Sequence, residues 1–270
     1  MFIMQAEDAI KECLRVSGKI LMESFGKLKE YTVKHNQSNI VTQADLDSEK
    51  AIVQIIEKRF PEHSIIAEET GFRDKKSEYV WIIDPLDGTS NFSAGIPWFG
   101  VIVALLKSWE PVAAGVFLPF YNVTYLAEKG KGATRNGEKI SVSGESELKN
   151  VLLAYSLDFS SDFSKTEMES RIIAGLVRNI RNLRATNSVV DFCYTADGKL
   201  GGCINQAEKI WDLAAPWLII KEAGGIVTDI HGEQIDFSAG SSDYSRNFTS
   251  VASSKPLHGK ILEIINKAKC

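Results

Sequence analysis

The chain has little with which to cross-link itself or to hold a soft metal: it carries four cysteines and four histidines in 270 residues. Cys13, Cys193, Cys203 and Cys270 show no C-x-x-C spacing and have no histidine beside them. That excludes a zinc ribbon or a disulfide framework and leaves reduced thiols. The seven prolines form no proline-rich linker, and the chain holds neither an internal repeat nor a low-complexity tract. No apolar run approaches the length of a membrane span. The opening, Met1 to Met4 followed by Glu7 and Asp8, lacks the basic region and apolar core of an export signal, so a cytoplasmic protein without membrane contact is expected. Basic excess is missing too: 31 Lys and Arg stand against 35 Asp and Glu, for a net charge of −4. The chain thus has no electrostatic footprint for nucleic acid, and no nucleic-acid partner is expected.

What remains is the composition of an ordinary globular chain, 44% apolar and 24% charged, long enough for one large domain or two packed halves. Ile10, Cys13, Leu14, Ser17, Leu21 and Phe25 form one stripe of an amphipathic helix over residues 5–25. A second helix over 44–60 stops at Pro61. Strands are expected at 64–67, 79–83, 101–106, 112–117 and 124–127. Asn136-Gly137 marks a hairpin turn, so KGKGATRNG reads as hairpin and not as a phosphate loop. From Asn150 the pattern alternates. Strands near 151–156, 201–205 and 226–230 are interleaved with helices near 165–180, 188–196 and 212–223, and a last helix spans about 255–268. Gly224-Gly225 caps the helix before the strand at 226.

The chemistry concentrates in WIIDPLDGTSNF, residues 81–92, where Asp84 and Asp87 close an apolar strand directly before Gly88 and Thr89. Two carboxylates about 4 Å apart repel by roughly 4 kcal/mol at an effective dielectric near 20, so their convergence requires a proton or a cation. A hard divalent cation with oxygen ligands answers that need, and backbone N–H groups around Gly88 and Thr89 could hold an anion. As a bare string, D-P-x-D-G is equally a good surface turn. Glu68 and Glu69 follow the strand-like HSIIA, Asp45 opens the second helix in VTQADLD, and Asp212 opens a helix in IWDLAAPW. Each has an ordinary structural alternative: Asp212 as a helix N-cap, Thr42 with Asp45 as a capping box, the paired glutamates as solvated surface. Their shared position at strand ends and helix starts is where alternating folds collect functional groups.

In this order, IIAEETG, DPLDGTSNF and the late WDLAA followed by EAGG resemble the magnesium-dependent, lithium-sensitive phosphatases typified by inositol monophosphatase. Weaker likeness runs from the first helix, through KHNQSNIVTQAD and KGKGATRNG, nearly to the C-terminus. The resemblance implies an α/β fold, an alternating α/β/α/β/α sandwich shared with fructose-1,6-bisphosphatase and usually assembled as a homodimer. Residues 1–150 would form an N-terminal half with most of the metal ligands. Residues 151–270 would form a C-terminal half carrying Asp212 and the substrate-side segment, and the two would pack as one unit.

The resemblance implies two or three Mg²⁺ ions. Glu68, Asp84 and the carbonyl of Leu86 would hold the first; Asp84, Asp87 and Asp212 would hold the second; Glu69 would support a weaker one. Glu68 and Thr89 would orient and help deprotonate the attacking water, with Asp45 accepting the Thr89 hydroxyl. Gly88 and Thr89 would bind phosphate through N–H groups, and Asp212 would also face the substrate. Lys34 would stand just behind this network. Asn39 and Ala67 depart from the family pattern without removing a ligand. Asn205 stands seven residues before Asp212, where inositol-preferring relatives carry Glu, and is expected near the alcohol part of the substrate. The expected substrate is a small phosphorylated metabolite, a polyol or sugar phosphate. The alternatives are fructose 1,6-bisphosphate, histidinol phosphate or a 3′(2′),5′-bisphosphate nucleotide, and, in a different class, a non-catalytic binding protein on the same fold.

Overall fold

Apolar runs too uniform for one-sided strands decide the architecture. In the computed structural model, residues 2–27, 31–34, 37, 40–238 and 243–269 are described, with side chains from residue 5 onward; Asn39 and Cys270 lie outside them. From the N-terminus the chain forms α1 (Phe2–Ser24), β1 (Thr32–Val33), β2 (Ile40–Val41), α2 (Gln43–Arg59), β3 (Ser64–Ala67), β4 (Gly71–Arg73), β5 (Tyr79–Asp87) and α3 (Thr89–Ser93). It continues with β6 (Gly100–Lys107), β7 (Glu110–Leu118), β8 (Val123–Glu128), β9 (Gly132–Arg135) and β10 (Glu138–Lys139). After Asn150 come β11 (Leu152–Ser156), α4 (Phe163–Val177), β12 (Asn182–Arg184), α5 (Val190–Ala196) and β13 (Gly202–Glu208). The chain closes with α6 (Ile210–Glu222), β14 (Gly225–Thr228), β15 (Phe248–Ser254) and α7 (Lys255–Lys269).

One eight-stranded sheet has the order β10-β9-β8-β7-β6-β5-β3-β4, and a five-stranded sheet has the order β12-β11-β13-β15-β14. Strand periodicity of two sends alternate residues to opposite faces. Trp81 and Ile83 of β5, with Val101, Val103 and Leu105 of β6, pack under α1 and α2. Val80, Ile82, Ile102, Ala104 and Leu106 pack on the other side against α5, α6 and the inner face of the second sheet, at Ala154, Cys203 and Ala252. The outer face of that second sheet, at Leu153, Tyr155, Ile204 and Val251, is covered by α4 and α7. Helices, sheet, helices, sheet, helices: the expected five layers are present, and both sheets are buried on both faces, which is why their strands read as continuous apolar runs.

Several local expectations hold. The stripe of α1 buries Ile10, Cys13, Leu14 and Leu21, and Ser17 pairs with Ser48 of α2 across the helix contact at 2.5 Å. Asn136 and Gly137 both have positive φ, 50° and 86°, in the turn between β9 and β10, as a two-residue hairpin of this sequence demands. Cys13, Cys193 and Cys203 are free and buried. Among the described residues, no helix is long and apolar enough to cross a membrane.

Other elements are corrected. β15 lies outside the expected strands, because the serines and threonine of FTSVASS give a weak strand signal; Ser250, Ser253 and Ser254 are nonetheless buried in it. β13 runs three residues past Asn205, because a β-bulge over Gln206 and Ala207 lets pairing resume at Glu208. β4, β12 and α3 are also too short for periodicity to reveal.

Ile82 is fully buried where the central helices meet the large sheet, whereas Val177 is 55% exposed at the end of α4. Ile82→Ala is expected to destabilise by about 2–5 kcal/mol through lost transfer energy and a residual cavity. Val177→Ala should stay within about 0.5 kcal/mol of the unsubstituted protein. Urea unfolding in metal-free buffer measures both.

Candidate active site

The site starts where β5 stops being regular. Asp84 still pairs with Ile102 of β6, but the next pairing is Asp87 with Gly100, so the ladder shifts between them. Pro85 cannot donate to the ladder, and its carbonyl instead accepts the Ser48 hydroxyl at 2.9 Å. The loosened strand folds back on itself, and Asp84 Oδ1 accepts the Leu86 N–H at 2.9 Å. Gly88 follows with φ 81° and ψ 35°, the left-handed region, and opens α3. A Cβ there would also lie 2.6 Å from the Trp98 carbonyl oxygen, so only glycine makes this turn. Thr89, the first residue of α3, donates its hydroxyl toward Asp45 Oδ1 at 3.0 Å and the Leu86 carbonyl at 2.9 Å.

Asp45 serves two structures at once. As the third residue of α2 it accepts the Thr42 N–H (2.8 Å) and hydroxyl (2.5 Å) on Oδ2, the expected capping box, while Oδ1 faces Thr89. Asp212 does the same at α6. It is not the helix N-cap, as its place in the sequence suggested, but the third helical residue. Lys209 is the cap, and its N–H donates to Asp212 Oδ2 at 2.6 Å. That shift of one turn aims the carboxylate across the seam between the sheets: one oxygen from each of Asp84, Asp87 and Asp212 lies within 4.8 Å of the other two. Asp87 is held by the Val189 N–H at 2.5 Å.

Burial and mutual repulsion govern the charges. Asp84 and Asp87 are both held well above the usual carboxylate range, first by burial and then by neighbouring carboxylates, Glu68 foremost for Asp84 and Asp212 for Asp87. Burial pushes Asp212 up to about 6, against the Lys209 N–H that favours its ionised form. Glu68 is pushed up to about 8 by burial, opposed by Lys34 and reinforced by Glu69 and Asp212. Asp45 rises to about 6, chiefly through burial. The one cation in this neighbourhood among the described residues that pairs with the glutamates is Lys34, carried there by β1. Its Nζ donates to Glu68 Oε1 at 2.9 Å and Glu69 Oε1 at 2.5 Å. Burial alone would lower the Lys34 pKa, and the two glutamates more than reverse this. Glu69 is also tied through its N–H to Glu49 at 2.8 Å.

The structure thus brings Glu68, Glu69, Asp84, Leu86, Asp87, Gly88, Thr89, Asp45, Asp212 and Lys34 into one connected neighbourhood. Asn205 lies on β13, half-buried, with its side-chain oxygen accepting the Ala207 N–H at 2.9 Å. Three acidic residues escaped the sequence reading: Asp158 after β11, Asp191 in α5 and Glu208 at the end of β13. All three bear on the cluster electrostatically. The available signal was a lone acid inside or beside a buried element, and without the topology nothing connects it to the others. The donor set is all oxygen, carries no histidine or cysteine, and among the described residues has no arginine or lysine neutralising Asp84 and Asp87. It fits a hard divalent cation such as Mg²⁺.

A sequence profile of the inositol monophosphatase family matches residues 5–269. The chain belongs to that family. It is 35% identical over 252 residues to a fructose-1,6-bisphosphatase/inositol-1-monophosphatase of Aquifex aeolicus, covering 93% of this chain and 91% of the relative. It is 35% identical over 248 residues to a protein named Nus factor SuhB in Vibrio cholerae, covering 91% and 90%. Among solved structures, an IMPase of Thermotoga maritima superposes with a TM-score of 0.85 at 29% identity, covering 96% of this chain and 95% of that one.

For this inositol monophosphatase family member, the raised carboxylates set a sign. A carboxylate whose folded pKa is raised gives stability that is present at low pH and lost as pH rises through that value. Without metal, this loss starts near the unfolded carboxylate values, about 4, and is complete at about 6 for Asp212 and about 8 for Glu68. A divalent cation binds the ionised forms and offsets it. The rise in Tm on adding saturating Mg²⁺ should therefore be larger at pH 8 than at pH 5.5. Thermal scans at the two pH values check this, and an equal or inverted shift would contradict the charge assignment.

Proposed function

We propose that the protein is a Mg²⁺-dependent phosphomonoesterase acting on a small polyol or sugar phosphate. The observation that carries this is the convergence of Asp84, Asp87 and Asp212 within 4.8 Å, beside the hydrogen-bonded pair Thr89 and Asp45. Magnesium at Asp84, Asp87, Asp212, Glu68 and the Leu86 carbonyl supplies positive charge that acidifies water and clamps phosphate oxygens.

The remaining work falls to the chain itself. Asp84 is the carboxylate on which Glu68, Asp87 and Asp212 all bear, so it would be shared if two cations were held here. When the Leu86 carbonyl is engaged elsewhere, the Thr89 hydroxyl has one acceptor left, Asp45 Oδ1. A water beside Thr89 can then pass its proton to the threonine oxygen while the threonine proton moves toward Asp45. Burial holds Asp45 near 6, so it is ionised and able to accept that charge above neutrality. Glu68, whose charge also bears on Asp84, orients the same water. The N–H groups of Gly88 and Thr89 stand at the start of α3, where a helix leaves its first donors without partners, and they bind the phosphate. Asp212 and Asn205 then face the alcohol. Glu69 with Lys34 forms the outer edge, where an exchange of the ammonium for a third cation is available.

We take the protein to act as a homodimer, on the strength of the exposed Ile96, Trp98, Phe120 and Tyr121, whose apolar surface a second copy would cover. A cytoplasmic setting is supported by three buried thiols that remain unpaired. A second reading, a regulatory protein that keeps the fold to bind a partner, is favoured by the likeness to a Nus factor. The unbroken set Glu68, Asp84, Asp87, Thr89 and Asp212 favours hydrolysis, because a binding role alone would not preserve all five.

Phosphate release from a panel containing an inositol monophosphate, a hexose phosphate, fructose 1,6-bisphosphate, histidinol phosphate and a 3′,5′-bisphosphate nucleotide, with and without Mg²⁺, separates the two readings. Mg²⁺-dependent turnover is expected, and none on any ester would favour the binding protein. In the same assay Asp84→Asn should lower kcat by at least about a hundredfold, since electrostatic groups of this kind contribute about 2.7–4 kcal/mol. Near-normal activity of the folded variant at saturating Mg²⁺ would show that Asp84 holds no metal.

A further inference from the structure

β13 ends in a bulge with a directional consequence. Asn205 pairs with Ser250 and Glu208 pairs with Phe248, so three steps along β13 match two along β15. Because side chains alternate, residues three apart on a regular strand lie on opposite faces. The extra residue returns Glu208 to the face of Asn205. That is the inner face, where its partner Phe248 packs in one core with Cys203, Trp211 and Leu213, and from which α6 presents Asp212.

On this face the two side chains are unequally free. Asn205 spends one lone pair of its oxygen on the Ala207 N–H. Glu208 is 4% exposed, yet the described residues offer its carboxylate no hydrogen bond; its neighbours are the carboxylates of Asp212, Asp87, Asp158 and Asp191. The adjacent cation turns away, with Lys209 Nζ donating to the Ser245 carbonyl. The Glu208 oxygens are not among the side-chain atoms sealed from solvent, so a carboxylate that burial and its acidic neighbours both disfavour is open to a ligand that can donate to it. Glu208 stands apart from the three oxygens that cluster within 4.8 Å, so its partner is not the cation those hold.

Building on the phosphatase reading, we infer that Glu208 recognises the alcohol part of the substrate, accepting a hydrogen bond from a hydroxyl near the phosphate-bearing carbon. Glu208 stands four residues before Asp212, and the bulge brings it to the face of Asn205. A polyol with hydroxyls flanking the ester suits this surface. A second phosphate does not, because the acidic side chains of Asp158, Asp191 and Glu208 offer it no cation to pair with.

The test compares kcat/KM for inositol 1-phosphate, which has flanking hydroxyls, with that for p-nitrophenyl phosphate, which has none. In both Glu208→Leu and Glu208→Gln the ratio of the two should fall, by about tenfold or more in Glu208→Leu, the effect of one hydrogen bond to a charged group. Two readouts separate recognition from a structural role. Tm in metal-free buffer should not drop in Glu208→Leu, since a costly buried carboxylate is removed, and calorimetric Mg²⁺ affinity should stay within about threefold. An unchanged ratio in both variants, or parallel loss on both esters together with a lowered Tm, overturns the inference. Unsubstituted protein that cleaves the aryl ester but not inositol 1-phosphate overturns it while sparing the phosphatase reading. Unsubstituted protein that cleaves neither with Mg²⁺ overturns both.

Discussion

Three carboxylates, from Asp84, Asp87 and Asp212, are held where they cannot all be ionised unless a cation joins them, and most of the local structure exists to keep them there. Like charges at such spacing would separate if the chain were free to move. Each is therefore fastened by a backbone N–H: Leu86 to Asp84, Val189 to Asp87, Lys209 to Asp212. Those donors belong to a kinked strand end, the approach to a short helix and a helix cap, so each carboxylate is anchored by a different element. Repulsion stored in this way becomes affinity for a divalent ion, because the cation meets ligands already positioned and relieves their mutual repulsion as their protons leave. Lys34 has a related role farther out, where its ammonium keeps Glu68 and Glu69 together.

The five layers make this convergence possible. β5 and β6 are buried on both faces, so the end of β5 cannot shift far, and α6 lies between the two sheets in the shared core. One end of α6 is thereby fixed against both halves of the chain. An aspartate in its first turn necessarily points into the seam, within reach of carboxylates contributed by the larger sheet. The capping boxes at Asp45 and Asp212 show the same economy, in that a carboxylate used to start a helix retains its other oxygen for the site.

Much of this is legible in the sequence. The run of buried residues before Asp84, the Gly88 turn and the Asn136-Gly137 hairpin all carry local signals strong enough to survive packing. The metal-ligand candidates come from resemblance, and the structure brings them together. What stays hidden depends on tertiary context. β15 is written in serines whose burial only the second sheet creates. Asp212 looks like a cap because sequence shows where a helix begins only to within a turn, and one turn decides which way the carboxylate faces. Glu208 has no signal at all, since its orientation follows from one inserted residue in a ladder whose partner strand is itself unforeseen.

The central claim is that this cluster is a divalent-cation site, and anomalous diffraction from crystals soaked in Mn²⁺, a scatterer with the oxygen preference of Mg²⁺, tests it most directly. The expected result is an anomalous peak enclosed by Asp84, Asp87 and Asp212, with a second beside Glu68 and the Leu86 carbonyl when phosphate is present. Ordered carboxylates in well-diffracting crystals with no peak between them would contradict it.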